Sequence, residues 1–183
     1  MTISSRGRVV DLLQRDHERV KALLDQLTSS PPEGRHDLFC QLVVALVRHE
    51  VAEEVVVYPA IRSDVPDGSA EVKPRLREQS EAEEKLAKME KLDPTTPEFA
   101  SELAELKSTV LAHVQAEEQS VFPLLRAVED DDKLMEMGAK YERAKSGAPT
   151  HPHPHAPDTP PGNTILGPIA ALFDKARDAA RKS

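Results

Sequence analysis

The chain has 183 residues, with 24 Lys plus Arg against 32 Asp plus Glu, so its formal net charge is −8. That acidity, an aromatic content of 3% and the lack of Trp argue against nucleic acid as a partner, which needs a basic footprint and stacking platforms. A single cysteine, Cys40, excludes an internal disulfide, a cysteine-based zinc site and an iron–sulfur cluster built within one chain.

Four stretches repeat apolar residues at helical spacing, each predicting an amphipathic helix with one buried stripe. The first stripe runs Val9, Leu13, His17, Val20, Leu24 and Leu27. The second takes Phe39, Leu42, Leu46, His49, Glu53 and Val57, and is entered near His36, expected at the surface. The apolar run Val55–Tyr58 continues this helical pattern and is expected as its last turn, not as a strand. Val72, Leu76, Gln79, Glu83 and Leu86 form the third stripe. The fourth extends through Phe99, Leu103, Leu106, Val110, His113, Glu117, Val121 and Leu124. Turn chemistry separates them: Ser-Ser-Pro-Pro-Glu-Gly over 29–34, Pro-Asp-Gly over 66–68 and Asp-Pro-Thr-Thr-Pro over 93–97. Short connections between long helices predict an all-α, antiparallel up-down four-helix bundle.

Leu134, Met137 and Tyr141 mark a short fifth helix that caps the bundle. Residues 1–145 form the expected bundle domain. Prolines crowd residues 146–162, together with His151, His153 and His155, and this stretch reads as an extended linker. Residues 163–183 carry Ile165, Ile169, Leu172 and Phe173 at amphipathic helical spacing, expected to dock on the bundle, with contact to a partner or a membrane surface as the alternative. The longest apolar runs, such as Leu42–Val47, are too short to cross a bilayer, and Met1–Arg8 lacks the apolar stretch of a secretory signal. A cytoplasmic protein, monomeric or weakly dimeric, is the expectation. Cys40 is expected to pack inside the second helix.

The residues interrupting the stripes carry the chemistry. His17, His49, Glu53, Gln79, Glu83, His113 and Glu117 all continue apolar series, so they should point at the bundle axis. Burying an ionised carboxylate there costs several kcal/mol unless a compensating charge is present, and a metal cation is the simplest source. An internal repeat sharpens this reading. Residues 49–62 align without gaps with residues 113–126, sharing His-x-x-Ala-Glu-Glu-x-x-Val-(Tyr/Phe)-Pro-x-(Ile/Leu)-Arg. In each copy His and Glu are one turn apart on one face, and two hairpins related by an approximate two-fold axis would bring both pairs together. Two symmetric pairs imply two metal ions, with Glu53 and Glu117 placed to bridge them. Glu54 and Glu118 lie off the stripe and are expected to support ligands from outside or make surface pairs. Glu50 should face water or a neighbouring helix.

The order His…His-x-x-x-Glu-Glu…Tyr-Pro…His-x-x-x-Glu-Glu…Phe-Pro resembles the hemerythrin-like (HHE cation-binding) family, over roughly residues 7–130. The resemblance implies non-haem di-iron chemistry of the actinobacterial type: two iron ions bridged by an oxo or hydroxo group, with manganese using the same ligand types. By motif matching, His17, His49 and His113 take the family's histidine positions, and Glu53 and Glu117 its bridging carboxylates. Gln79 stands where the family usually has a histidine, and Glu83 is expected to complete the set. Carboxylate-rich ligation favours the ferric state, which argues against reversible oxygen storage. Tyr58 is a candidate further metal ligand that reaches the gap at Gln79 only if the helix is distorted, because its ideal phase is off the stripe. The resemblance thus implies an oxidoreductase that disproportionates hydrogen peroxide or processes nitric oxide, with Glu53 and Tyr58 as catalytic groups. The alternative is a sensor or store for oxygen, nitric oxide or iron, with small diatomic or peroxide ligands in either case.

Overall fold

A computed structural model describes residues 7–154. In chain order it contains α1 (Val9–Ser29), a 3-10 turn (Pro32–Gly34), α2 (Arg35–Ala52), a π turn (Glu53–Val57), α3 (Tyr58–Asp64), α4 (Gly68–Met89), α5 (Pro97–Ala116), a second π turn (Glu117–Val121), α6 (Phe122–Val128) and α7 (Asp131–Gly147). No strand occurs among the described residues. Each π turn joins its two flanking helices into one long rod, so the elements form four bundle helices with α7 as a fifth. Helix α1 packs on α2 and α5, and α4 packs on α5, α2 and α3, closing the four-membered ring.

The two π turns fall on the two copies of the sequence repeat, and proline supplies a physical reason. Pro59 and Pro123 have no N–H to offer the carbonyl four residues back, and their rings crowd it. The helix widens by one residue instead, so the Tyr58 N–H reaches the Glu53 carbonyl and the Phe122 N–H reaches that of Glu117. One inserted residue advances the phase of everything after it. The buried residues beyond the second turn are therefore Phe122 and Leu125, while Leu124, expected on the stripe, is only half-buried. The same shift carries Tyr58 and Ile61 inward after the first turn.

Two apolar clusters fill the bundle. One gathers Leu13, Val57, Ile61, Phe122 and Leu125, and the other Leu24, Leu42, Leu86, Phe99 and Leu106. Each large apolar side chain so buried contributes about 1.5–3 kcal/mol. Together they support the polar layer sandwiched between them.

The third stripe departs from expectation at one position. Gln79, Ala82 and Leu86 are buried on α4, whereas Glu83 is half-buried. The step from Gln79 inward is three residues, not four, which rotates Glu83 to the flank of the helix. At the start of α4, Asp67 adopts a left-handed conformation (φ 57°) and the next residue must be small. A Cβ on Gly68 would lie 1.9 Å from the Ile61 carbonyl oxygen.

Helix α7 is longer than the short cap expected, and Leu134, Met137 and Tyr141 are its buried face. The Asp130 side chain accepts a hydrogen bond from the Lys133 N–H at 2.8 Å, capping its start. It lies across α1, α2 and the first π turn. Residues 148–152, assigned from sequence to a free linker, are instead buried, with His151 paired to Glu90 of the α4 C-terminus. Cys40 is half-buried at the surface of α2, not fully inside. His155 and residues 163–183, with their expected amphipathic helix, lie outside the described residues. No helix among those described is long and apolar enough to cross a membrane.

Candidate metal centre

Four rods contribute to one layer: His17 from α1, His49 and Glu53 where α2 enters its π turn, Gln79 from α4, and His113 and Glu117 where α5 enters its own. His17, Glu53 and Glu117 are fully buried, and His49, Gln79 and His113 nearly so. One ligand atom from each of His17, His49, Glu53 and Glu117 lies within 4.8 Å of all the others. His113 joins through Glu117, whose Oε2 is 3.4 Å from His113 Nε2 and 3.3 Å from His17 Nε2. On the other side Glu53 Oε1 is 3.4 Å from His49 Nε2.

These five inward atoms, three imidazole nitrogens and two carboxylate oxygens, have no hydrogen-bond partner. A buried polar atom left unpaired costs about 1–3 kcal/mol, so five at one point demand an explanation. Donor atoms on one metal ion, bonded at about 2.1 Å with near-tetrahedral angles, sit about 3.4 Å apart. The three imidazole–carboxylate spacings of 3.3, 3.4 and 3.4 Å match, and the nitrogen-plus-carboxylate donor set suits a divalent transition metal. The residues present therefore fit a metal centre.

The outward atoms are all engaged. His17 Nδ1 is 3.0 Å from Glu118 Oε1, which also receives Lys21 at 3.1 Å. His113 Nδ1 is 2.8 Å from Glu78 Oε2, and Arg75 bonds the other Glu78 oxygen at 2.8 Å. His49 Nδ1 meets the Tyr141 hydroxyl at 2.7 Å, which in turn donates to Asp16 Oδ2 at 2.7 Å. Acceptors at every Nδ1 place the imidazole proton there and leave each Nε2 lone pair facing inward, as metal-binding histidines require. The expectation for Glu118 holds, and the supporting roles of Glu78 and Tyr141 were missed. Glu78 is marked only by lying next to Gln79.

Tyr58 is turned into the layer by the π turn. Its hydroxyl donates to Glu117 Oε1 at 2.7 Å and accepts from Gln79 Nε2 at 2.8 Å. Gln79 Nε2 also donates to Glu53 Oε2 at 2.8 Å. Thus each carboxylate has one oxygen tied down by Tyr58 or Gln79 and the other aimed at imidazole nitrogens. In the second repeat Phe122 occupies the Tyr58 position and stacks on His17, with ring centroids 5.2 Å apart.

Glu83 is not part of the close group; its charge instead acts on Glu50. Glu50 is buried, facing α4 rather than water, with Oε2 unpaired. Burial, then the Glu83 and Glu54 charges, pushes the Glu50 carboxyl well above its ordinary value. Burial and the Glu117 charge do the same to Glu53. Glu117 is also buried, but the positive charge that His113, His17 and His49 carry when protonated outweighs that cost and holds it below the carboxylate range. Burial lowers His49 and raises Tyr58, the latter helped by the charges of Glu117 and Glu53. Beside the layer is a cavity of about 10 Å³, room for roughly one water, walled by Val20, Leu46, Ala82 and Val110 and bordered by His17 and Glu50.

Comparison with known proteins agrees with this geometry. Residues 8–125 match the family model described as the Hemerythrin HHE cation binding domain. A hemerythrin-like protein of Schizosaccharomyces pombe is 32% identical over 171 residues, covering 93% of this chain and 81% of that protein. A protein of Nostoc sp. named DNA nickase is 30% identical over 139 residues, which are 75% of this chain but 39% of the relative. Among solved structures, a Hemerythrin HHE cation binding domain-containing protein from Mycobacterium kansasii shares the fold, with TM-score 0.66, 23% identity, and coverage of 76% of this chain and 88% of that one. The chain is a member of the hemerythrin HHE cation-binding family, with a His/Glu cluster able to hold metal in a helical bundle.

Proposed function

We propose that the chain is a non-haem di-iron protein that disproportionates hydrogen peroxide into water and oxygen. The observation that carries this reading is the convergence of five unpaired donor atoms on one buried layer, with a tyrosine hydroxyl hydrogen-bonded to one of the carboxylates. An iron pair bound there would supply reversible two-electron exchange, which alternate reduction and oxidation of two peroxide molecules requires.

The chain's own residues would do the rest. His17, His49, His113, Glu53 and Glu117 would hold the centre through their inward nitrogen and oxygen atoms. Gln79 and Tyr58 fix the carboxylates by binding their outer oxygens. Tyr58 keeps a proton at Oη beside Glu117 and Glu53, so it can give a proton to a departing oxygen and recover it. The adjoining cavity, with room for roughly one water, restricts bulk water, and a peroxide would enter only as the side chains around it shift. The nickase activity named for the Nostoc relative is not carried over. A net charge of −8 offers no phosphate footprint, and this chain spans 39% of that protein.

The test is oxygen evolution from hydrogen peroxide by purified, iron-loaded protein, with iron per chain counted on the same sample. Sustained evolution that disappears in Glu53→Gln supports the reading. Bound iron without turnover would replace it with oxygen or nitric oxide binding.

A further inference from the structure

Helix α7 lies beyond residue 125, where the match to the family domain ends, yet it reaches the centre. Its Tyr141 is fully buried, and the hydroxyl stands between His49 Nδ1 and Asp16 Oδ2, at 2.7 Å from each. Lys145, one turn later on α7, bonds both Asp16 oxygens at 2.7 and 2.6 Å and lies 5.4 Å over the Tyr141 ring. The helix is drawn close one turn earlier on the same face too: a Cβ on Gly138 would come within 2.0 Å of the Gly7 carbonyl oxygen.

The direction of this chain is fixed by chemistry. Asp16 beside an ammonium group offers only acceptor oxygens, so the Tyr141 O–H must donate to it. The phenol oxygen is then left to accept, and only the His49 Nδ1–H can fill that place. The His49 proton is thereby held outward and its Nε2 lone pair inward. His17 and His113 achieve the same with a direct carboxylate, Glu118 or Glu78, each backed by a cation. At His49 a tyrosine from a fifth helix is inserted between imidazole and carboxylate. Asp16 Oδ2 itself is 3.7 Å from Nδ1, beyond direct hydrogen bonding.

We propose that Tyr141 is a positioning residue for the metal centre: relaying Asp16, it sets the tautomer and ring orientation of His49 and so makes α7 part of the site. This rests on the metal-centre reading, and it concerns a residue that neither metal nor peroxide would touch.

The test compares the full chain with Tyr141→Phe, Asp16→Asn and Leu134→Ala, the last removing α7 packing without touching the relay. Binding of cobalt(II) and iron(II) is measured by chelator competition, and the His49 proton is located in the metal-free proteins by two-bond nitrogen–proton NMR. Loss of a ligand's outer partner weakens metal binding about 10–100-fold. Tyr141→Phe and Asp16→Asn should both show that loss, with His49 no longer held in the Nδ1–H form and the helical content unchanged. Leu134→Ala should lower thermal stability while its metal affinity stays within about threefold of the parent. Affinity within threefold in Tyr141→Phe and Asp16→Asn, or an equal loss in Leu134→Ala, overturns the proposal. If Tyr141→Phe fails to fold, Asp16→Asn carries the decision alone. Parent protein that binds neither metal would sink the metal reading, whereas His49 found as Nε2–H in the parent would sink the relay itself.

Discussion

Glu53→Gln separates the two demands placed on this buried carboxyl. Burial and the neighbouring Glu117 charge favour its neutral form without metal, and a neutral carboxyl and an amide have nearly the same size. Gln79 Nε2 would still find an acceptor oxygen at 2.8 Å. Stability without metal should therefore change by no more than about 1 kcal/mol, the size of an ordinary substitution. Metal binding is another matter, because with its one oxygen on Gln79 the amide presents an NH2 group, which cannot ligate a cation, where the free carboxylate oxygen stood 3.4 Å from His49 Nε2. A 100-fold weakening is the expected scale for losing such a ligand. At a metal concentration of about 1,000 times the parent's Kd, linkage adds about 4.1 kcal/mol to the parent but only about 1.4 kcal/mol to the variant. With roughly 2–4 °C per kcal/mol for a chain of this size, Tm should rise about 8–16 °C in the parent and about 3–6 °C in the variant. Differential scanning fluorimetry with iron(II) under anaerobic conditions, or cobalt(II) in air, reads both values. Equal rises would remove Glu53 from the ligand set. A loss of several kcal/mol without metal would refute the claim that the carboxyl is neutral there.

Glu50 and Glu53 both hold their protons above the unfolded carboxylate value, so the stability they contribute is fully present below about pH 4.5 and is lost as pH rises through their raised values. His49, lowered by burial, tilts the curve the opposite way only below about pH 6.5. Urea midpoints of metal-free protein should thus fall as pH rises from about 4.5 through the raised values of these carboxyls, less steeply below about pH 6.5 where His49 opposes them, with a shallower slope in Glu50→Gln; a flat or rising curve contradicts the assignment. Tyr58→Phe removes the donor to Glu117 Oε1 and should cost about 1–3 kcal/mol of stability without metal. It should leave iron content intact and cut peroxide turnover about 10²–10⁴-fold; loss of iron would instead make Tyr58 a ligand. Gly68→Ala forces a methyl against the Ile61 carbonyl and should destabilise by about 1–3 kcal/mol in urea titration, so an unchanged midpoint would mean that this turn relaxes freely.

Much of the bundle and most of the centre were legible because two periodicities agree. The 3.6-residue stripe located the helices, and the polar residues interrupting it located His17, His49, Glu53, Gln79, His113 and Glu117 in one layer. Glu83 misled because a four-residue and a three-residue step are both helical; the apolar Ala82 was the signal that the shorter step wins. Tyr58 was expected inside only if its helix is distorted, and the inward place of Phe122 was hidden altogether, both for a different cause. Stripe counting assumes a uniform helix, and the π turns before Pro59 and Pro123 insert one residue that no periodicity reveals. The repeated Tyr-Pro and Phe-Pro steps were nonetheless visible as places where a helix must rearrange. The roles of Glu78 and Tyr141 depend on packing between distant segments, 35 and 92 residues from the histidines they hold, and local pattern contains no trace of that.

The most direct measurement is the metal content of the purified chain after anaerobic loading with iron(II) and removal of excess, taken together with that of His113→Ala and Glu117→Ala. Two irons per chain in the parent, and fewer than one in either variant, is the result this account predicts. Two irons retained in both variants, or none in the parent, would contradict it.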